Sequence, residues 1–194
     1  MDTSLRLGDA FDSILDAARA GADWAWERIY DSLSPTLLGY LRARGAPDPE
    51  NVMGEVLAQL VRDIGRFRGD EAGFRSWVFV MAHHRLLDDL RRRRRRPESP
   101  ASHESMAEIE DVRTVEADVV EAATRRELRS LLDQLTPAQR DVVLLRVFGG
   151  LKIEEVARAL GRRTGAVKAL QRRAFETLKV LLEQREYPSG VDGR

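Results

Sequence analysis

The stretch Leu151–Leu178, LKIEEVARALGRRTGAVKALQRRAFETL, decides how the rest of the chain is read. Ile153, Val156, Ala157 and Leu160 recur at helical spacing, which predicts a first helix over Lys152–Leu160. Val167, Leu170, Ala174 and Leu178 do the same for a second, over Thr164–Leu178, and Gly161 lies between the two. Two short amphipathic helices joined by a glycine turn are the layout of a helix-turn-helix, whose second helix enters the DNA major groove. Lys168, Gln171, Arg172 and Arg173 fall off the apolar stripe of that helix, where they could reach phosphates and base edges. A helical hairpin that does nothing but pack inside a bundle would show the same apolar pattern, so this stretch alone leaves both readings open.

Just upstream, Thr136-Pro137-Ala138-Gln139 has the form of a capping box with proline at the first helical position. The helix it starts carries Val142, Val143, Leu144, Leu145, Val147 and Phe148, and Gly149-Gly150 ends it. A further helix precedes it, with Val119, Val120, Ala123, Leu128, Leu131, Leu132 and Leu135 apolar. The carboxyl-terminal half therefore reads as four helices, the last two being the helix-turn-helix.

Charge divides the chain more sharply than its formal net charge of zero suggests. Residues 1–96 hold 16 basic and 15 acidic side chains, residues 97–124 hold 1 and 8, and residues 125–194 hold 15 and 9. A basic carboxyl-terminal part behind an acidic connector points to a polyanionic partner for that part. Pro97-Glu98-Ser99-Pro100-Ala101-Ser102-His103-Glu104 has no apolar period and reads as a flexible linker, its acidity running on through Glu108, Glu110, Asp111, Glu116 and Asp118. With no cysteine, disulfides and thiolate metal sites are excluded. Met1–Ser13 lacks the apolar run of a signal peptide, and no stretch approaches the roughly 18 apolar residues of a membrane span, so a soluble cytoplasmic protein without membrane insertion is expected.

In the amino-terminal half, Phe11, Ile14, Leu15 and Ala18 predict a helix that stops near Gly21. Trp24, Trp26, Ile29, Tyr30 and Leu33 predict another, ending before Pro35, with both tryptophans at the core or its edge. A third runs to about Arg44, and after Gly45, Pro47 and Pro49 a fourth carries Val52, Val56, Leu57, Leu60, Val61 and Ile64. Next comes a polar loop, Arg66-Phe67-Arg68-Gly69-Asp70-Glu71-Ala72-Gly73, and a helix with Phe74, Trp77, Val78, Met81, Leu86, Leu87 and Leu90 that runs into Arg91–Arg96. Six consecutive arginines cannot all face a core; beside an aromatic and arginine loop they suit single-stranded nucleic acid, the aromatic stacking and the cations holding phosphates. His83 and His84 point about 100° apart on a helix and so cannot share a metal ion, and no metal site, cofactor or catalytic constellation is expected.

Taken together, these residues resemble the extracytoplasmic-function class of bacterial sigma factors, over roughly Asp9–Leu182. The resemblance rests on Asp48-Pro49-Glu50-Asn51-Val52-Met53-Gly54-Glu55-Val56, Phe67-Arg68-Gly69-Asp70, Phe74-Arg75-Ser76-Trp77 and Met81 through Arg92 in the first half. In the second half it rests on Leu135 through Arg146, Gly150-Leu151, Glu154-Glu155-Val156-Ala157, Leu160-Gly161 and Gly165-Ala166-Val167-Lys168. It implies an all-α chain of two small helical domains: region two at residues 1–96, an acidic flexible linker at 97–116, region four at 117–183 and a disordered tail at 184–194. By the same resemblance, Asp48, Glu50, Asn51, Val52, Glu55 and Val56 dock on the clamp helices of the largest subunit of core RNA polymerase. Phe67, Arg68, Gly69, Asp70, Arg75, Trp77, His84, Arg85, Asp88, Arg91 and Arg92 engage the minus-ten element and its melted strand, where extruding a base requires a stacking pocket. Thr164, Gly165, Ala166, Lys168, Ala169, Gln171, Arg172 and Arg173 read the minus-thirty-five element, with region four on the polymerase flap. An anti-sigma factor is an implied partner, and the linker is implied to thread toward the polymerase active-site channel.

Some positions depart from the family's pattern. Asn51 replaces an aspartate, Gly54 a glutamine and His84 an asparagine, while Leu170 and Gln171 stand where arginine and an aliphatic residue are usual. Lys152 replaces a serine or threonine cap, which would cost about 1 kcal/mol if nothing compensated. From the residues themselves two other functions remain open: a stand-alone helix-turn-helix regulator and a protein-binding helical adaptor. The stand-alone regulator does not need the Phe67–Arg96 segment, which the sigma reading requires.

Overall fold

The computed structural model describes residues 7–95, 124 and 126–186. After a 3-10 turn at Gly8–Ala10 come α1 (Phe11–Arg19), α2 (Asp23–Arg44), α3 (Pro49–Asp63) and α4 (Glu71–Arg95). The second half holds α5 (126–133), α6 (Pro137–Val147), α7 (Ile153–Ala159) and α8 (Thr164–Glu186). The described residues contain no strand, and none of their helices is long and apolar enough to cross a membrane. The acidic linker expected at 97–116 and the residues after Glu186 lie outside the described residues.

Local chemistry sets the helix starts. Asp48 caps α3 by accepting a hydrogen bond from the Asn51 backbone N–H at 3.0 Å, with Pro49 in the first turn where no donor is missed. The capping box at α6 forms as its residues predict: Thr136 Oγ1 accepts from Gln139 N at 3.3 Å, and Gln139 Oε1 accepts from Thr136 N at 2.9 Å. At α7 the lysine in the cap position is compensated, because the Glu155 carboxylate accepts from the Lys152 backbone N–H at 2.6 Å.

Three boundaries and one burial differ from the sequence expectation. Pro35 does not end a helix; it lies inside α2, which runs unbroken to Arg44. A proline there costs about 3 kcal/mol, but Ile29, Leu33, Leu37, Tyr40 and Leu41 are all buried along the same helix, each aliphatic side chain returning about 1.5–3 kcal/mol. Local hydroxyls adapt too, Ser34 Oγ donating to the Tyr30 carbonyl at 2.6 Å and Thr36 Oγ1 to the Leu33 carbonyl at 3.1 Å. Trp24 is 53% exposed while Trp26 packs at the core edge, so of these two only Trp26 serves burial. Lastly, α8 continues past Leu178 and past residue 183 to Glu186.

One apolar core runs from Phe11 to Ala174 and includes both halves. They meet where α2 packs on α6 and α4 on α7. A β-carbon on Gly39 of α2 would stand 2.9 Å from Cε1 of Phe148, and one on Gly149 would stand 3.0 Å from Cγ of Phe79 in α4, so both glycines allow an aromatic ring to cross the junction. Beside them Arg44 of α2 and Asp141 of α6 form an ion pair with side chains only 12% and 13% exposed.

Candidate nucleic-acid interface

The turn between α7 and α8 has the geometry of a Schellman motif: Arg162 N donates to the Ala157 carbonyl at 2.8 Å and Gly161 N to the Arg158 carbonyl at 3.2 Å. Gly161 takes φ +60°, a left-handed conformation that a side chain would resist. This fixes where α8 departs from α7. Val167 and Ala174 are buried and Leu170 and Leu178 pack against the core, which anchors one face of α8. Leu170 thus belongs to the apolar stripe, which accounts for a leucine at that position. Thr164, Gly165, Ala166, Lys168, Arg172 and Arg173 are exposed, with Ala169 and Gln171 half-buried at the margin. Arg172 reaches Glu176 at only 3.7 Å, Arg173 Nε donates to the Ala169 carbonyl at 3.2 Å, and all three cationic side chains stay at the surface.

The second candidate surface lies along α4. Asp70 acts as the cap of α4, its Oδ1 accepting from Gly73 N at 2.8 Å. Phe67 is not a free stacking platform: it is 8% exposed, stacked on Trp77 at 5.2 Å and edge-on to Phe74 at 5.3 Å. Its carbonyl accepts from Arg19 Nη2 at 2.6 Å, which ties the loop to α1. Around this aromatic centre Arg68, Gly69 and Asp70 are exposed, and Trp77 offers part of its surface.

Further along, Arg75 Nη2 donates to the Phe148 carbonyl at 3.5 Å and His84 Nε2 to the Ala159 carbonyl at 3.1 Å. Two of the residues expected to meet the minus-ten element are therefore engaged by the second half. Arg85 is held by Gln59 at 2.9 Å, and Asp88 pairs with Arg91 at 3.1 Å. Sequence reasoning missed Asp89, which is 2% exposed and receives Arg92 at 2.7 Å and Arg93 at 2.9 Å. The i, i+3 and i, i+4 spacing of an aspartate before the arginine run was the available signal. Arg96 lies outside the described residues.

His83 points inward, 1% exposed, its Nδ1 sharing a hydrogen bond of 3.0 Å with the Tyr40 hydroxyl. Burial lowers its pKa to about 4, partly opposed by Asp141, and burial pushes the Tyr40 phenol far up. Among the described residues no group of three or more histidine or acidic side chains is placed to hold a metal ion.

On α3, Asp48, Glu50 and Asn51 are exposed, Glu50 pairing with Arg42 at 2.6 Å, and Glu55 is partly exposed. Val52 and Val56 are 1% and 0% exposed; the helix period turns them into the core, beneath the exposed residues of α3.

Residues 29–96 match the family Sigma-70 region 2, and residues 125–178 match Sigma-70, region 4. The ECF RNA polymerase sigma factor SigD of Mycobacterium tuberculosis is 30% identical over 179 residues, covering 89% of this chain and 84% of the relative. The chain belongs to the ECF sigma factors. BldN of Streptomyces coelicolor, another ECF RNA polymerase sigma factor, is 32% identical over 171 residues, which span 87% of this chain and 64% of the relative. In fold, this sigma factor is similar to CnrH, solved in complex with the cytosolic domain of CnrY, with a TM-score of 0.63 at 21% identity over 90% of this chain and 98% of that one. As a sigma factor it directs promoter-specific initiation of transcription, and the stand-alone regulator reading falls away.

Proposed function

We propose that this sigma factor divides promoter recognition between two surfaces. The exposed side of α8 reads the upstream element in the duplex, and the face of α4 with the Phe67 loop holds the melted strand near the start site. The observation that carries this reading is the two-sided character of α8: Val167 and Ala174 are sealed in the core, while Thr164, Lys168, Arg172 and Arg173 stand exposed on a helix set at a fixed angle by the Gly161 turn. That is the arrangement a recognition helix needs, with phosphate contacts fixing register and base-edge contacts supplying sequence.

The exposed acids Asp48 and Glu50, with Asn51 and the partly exposed Glu55, form the proposed docking surface for the polymerase clamp helices. Domain boundaries follow the same division, with residues 1–96 and 117–183 as the two functional units and 97–116 between them. The protein supplies recognition and leaves bond-making to the polymerase, working in the cytoplasm at the nucleoid. An anti-sigma factor is a further proposed partner; the similar fold of CnrH was captured with the cytosolic domain of CnrY.

The test adds the protein to core polymerase and genomic DNA and maps transcript starts, with footprints of the resulting complexes. The reading expects upstream protection that is lost on Lys168→Ala with Arg172→Ala while complex formation with core persists. Upstream protection that survives this double substitution would remove α8 from the reading surface.

A further inference from the structure

The loop that carries Phe67 is held by a part of the chain to which the surfaces above give no role. Residues 7–28 lie ahead of the stretch that matches Sigma-70 region 2, which begins at residue 29. Arg19, in the last turn of α1, sends one guanidinium nitrogen to Asp16 Oδ1 at 2.8 Å and the other to the Phe67 carbonyl at 2.6 Å. Arg68 Nη1 donates to the same carbonyl at 2.7 Å, so two cations share it. On the far side of the loop Glu71, the first residue of α4, accepts the Leu7 N–H through Oε1 at 2.8 Å and the Gly8 N–H through Oε2 at 3.0 Å. Between these polar ties Phe11 of α1 packs on Phe74 at 5.6 Å, and Phe74 meets the Phe67 ring in turn. A nine-residue helix is marginal on its own, so α1 takes its order from this packing and stands as a fixed support beside the loop.

Pinning the Phe67 carbonyl fixes a whole peptide plane. In a trans peptide the N–H points opposite to the C=O, so drawing the carbonyl to Arg19 turns the Arg68 N–H away from α1. Gly69 follows at φ +148°, where a β-carbon would stand 3.1 Å from the Phe67 ring, and Asp70 caps α4. Residues 68–70 are thereby exposed beside a buried ring.

We propose that α1 and the turn before it are a brace for base capture, with Arg19 and Glu71 as positioning residues that hold residues 68–70 in the shape that receives an unstacked base. The base-receiving role rests on the reading of the loop given above; the brace itself rests on these contacts. Extruding a base from its stack is costly, and a loop ordered in advance adds no further ordering cost at that moment. Neither positioning side chain has to touch DNA for this.

The test assembles the full chain with core polymerase on a fork-junction DNA from a promoter mapped as above, its upstream element double-stranded and its minus-ten element single-stranded. An abasic site is placed at each single-stranded position in turn. The parent should lose roughly tenfold in affinity where the missing base would enter the loop, within the range that stacking one base supplies. Arg19→Ala should cut that ratio to about twofold, and Arg19→Lys, which keeps the charge without the two-pronged fork, should fall between. Glu71→Gln should act like Arg19→Ala, since an amide offers one acceptor oxygen where two N–H groups each need their own. Binding of the double-stranded upstream element should stay at the parent level in all three. The ratio compares two DNAs on the same folded complex, so a loss of stability alone does not move it.

Gly69→Ala changes the rim itself and separates two failures. If Gly69→Ala loses the ratio while Arg19→Ala and Glu71→Gln both keep it, the brace is overturned and the loop reading stands. A ratio kept by only one of them strikes that residue from the brace. If the parent has no sensitive position, or all three variants keep the ratio, the loop receives no base and the brace falls with that reading. Ratios that fall in Arg19→Ala and Glu71→Gln, with upstream binding unchanged, establish the brace.

Discussion

Gly39 and Phe148 meet across the two halves of the chain: the ring stands where a side chain on Gly39 would have to go, 2.9 Å from the position of its β-carbon. Glycine in a helix interior costs about 0.5–1 kcal/mol relative to alanine. Gly54, on the exposed side of α3, has nothing within 4 Å of its β-carbon position. Gly54→Ala should therefore stabilise the protein by about 0.5–1 kcal/mol, whereas Gly39→Ala should show no such gain and Gly39→Val a clear loss. Urea denaturation of the three variants checks this, and equal gains at Gly39 and Gly54 would mean that Phe148 does not occupy that space.

Phe67 tests the difference between a core ring and a stacking platform. With Trp77 and Phe74 against it and 8% of its surface exposed, Phe67→Ala should cost about 3–5 kcal/mol of stability. Phe67→Leu, which keeps apolar volume, should cost less than about 1.5 kcal/mol. Thermal melts of the two variants provide the check. If Phe67→Ala leaves stability intact, the loop is held by other means and Phe67 is available to a base.

Lys168 and Arg172 stand exposed on α8, and Arg172 surrenders only a loose, solvent-exposed pair with Glu176 when it binds elsewhere. Replacing either with alanine should reduce the salt dependence of duplex promoter binding by about 0.9 in log–log slope for each phosphate that the side chain had neutralised. Binding titrations between low and moderate salt measure the slope. A variant whose affinity falls at constant slope would have given up a base-edge interaction instead.

The buried His83 sets a pH response. Its folded pKa of about 4 lies below the ordinary 6.5, so between these values the unfolded chain binds a proton that the folded chain refuses. Stability from this group is fully present above pH 6.5 and is lost as pH falls toward 4, by up to about 3 kcal/mol at 1.36 kcal/mol per pKa unit. His83→Gln should flatten that part of the stability profile measured by urea unfolding at several pH values. A slope as steep as the parent's would place the titrating group elsewhere.

Elements with their own chemistry were legible in the sequence. Thr136 and Gln139 announce the start of α6, Gly161 the turn of the helix-turn-helix, and the apolar period of Val167, Leu170 and Ala174 the inner face of α8. Pro35 misled because helix breaking is a local cost, and the burial of Leu33 and Leu37 on both sides outweighs it. The matched motifs mix two kinds of position: Val52, Val56 and Phe67 sit among site residues in the chain yet face inward, because a helical period or a ring cluster decides exposure. Contacts between the halves were the least readable. Gly39 and Phe148 are 109 positions apart, and nothing in the periodicity of either helix names the other.

Asp89 changes what the arginine run can do. By drawing in Arg92 and Arg93 from beneath, it keeps the run helical through Arg95. At about 1.5 Å per residue the four steps from Arg91 to Arg95 advance only about 6 Å along the axis, less than two nucleotide rises of about 3.4 Å each. An extended peptide of five arginines could follow a strand for several phosphates. Wound into this helix, and with Arg92 and Arg93 paired to Asp89, the run in its proposed strand-holding role would meet about two phosphates, a pin at one point of the backbone.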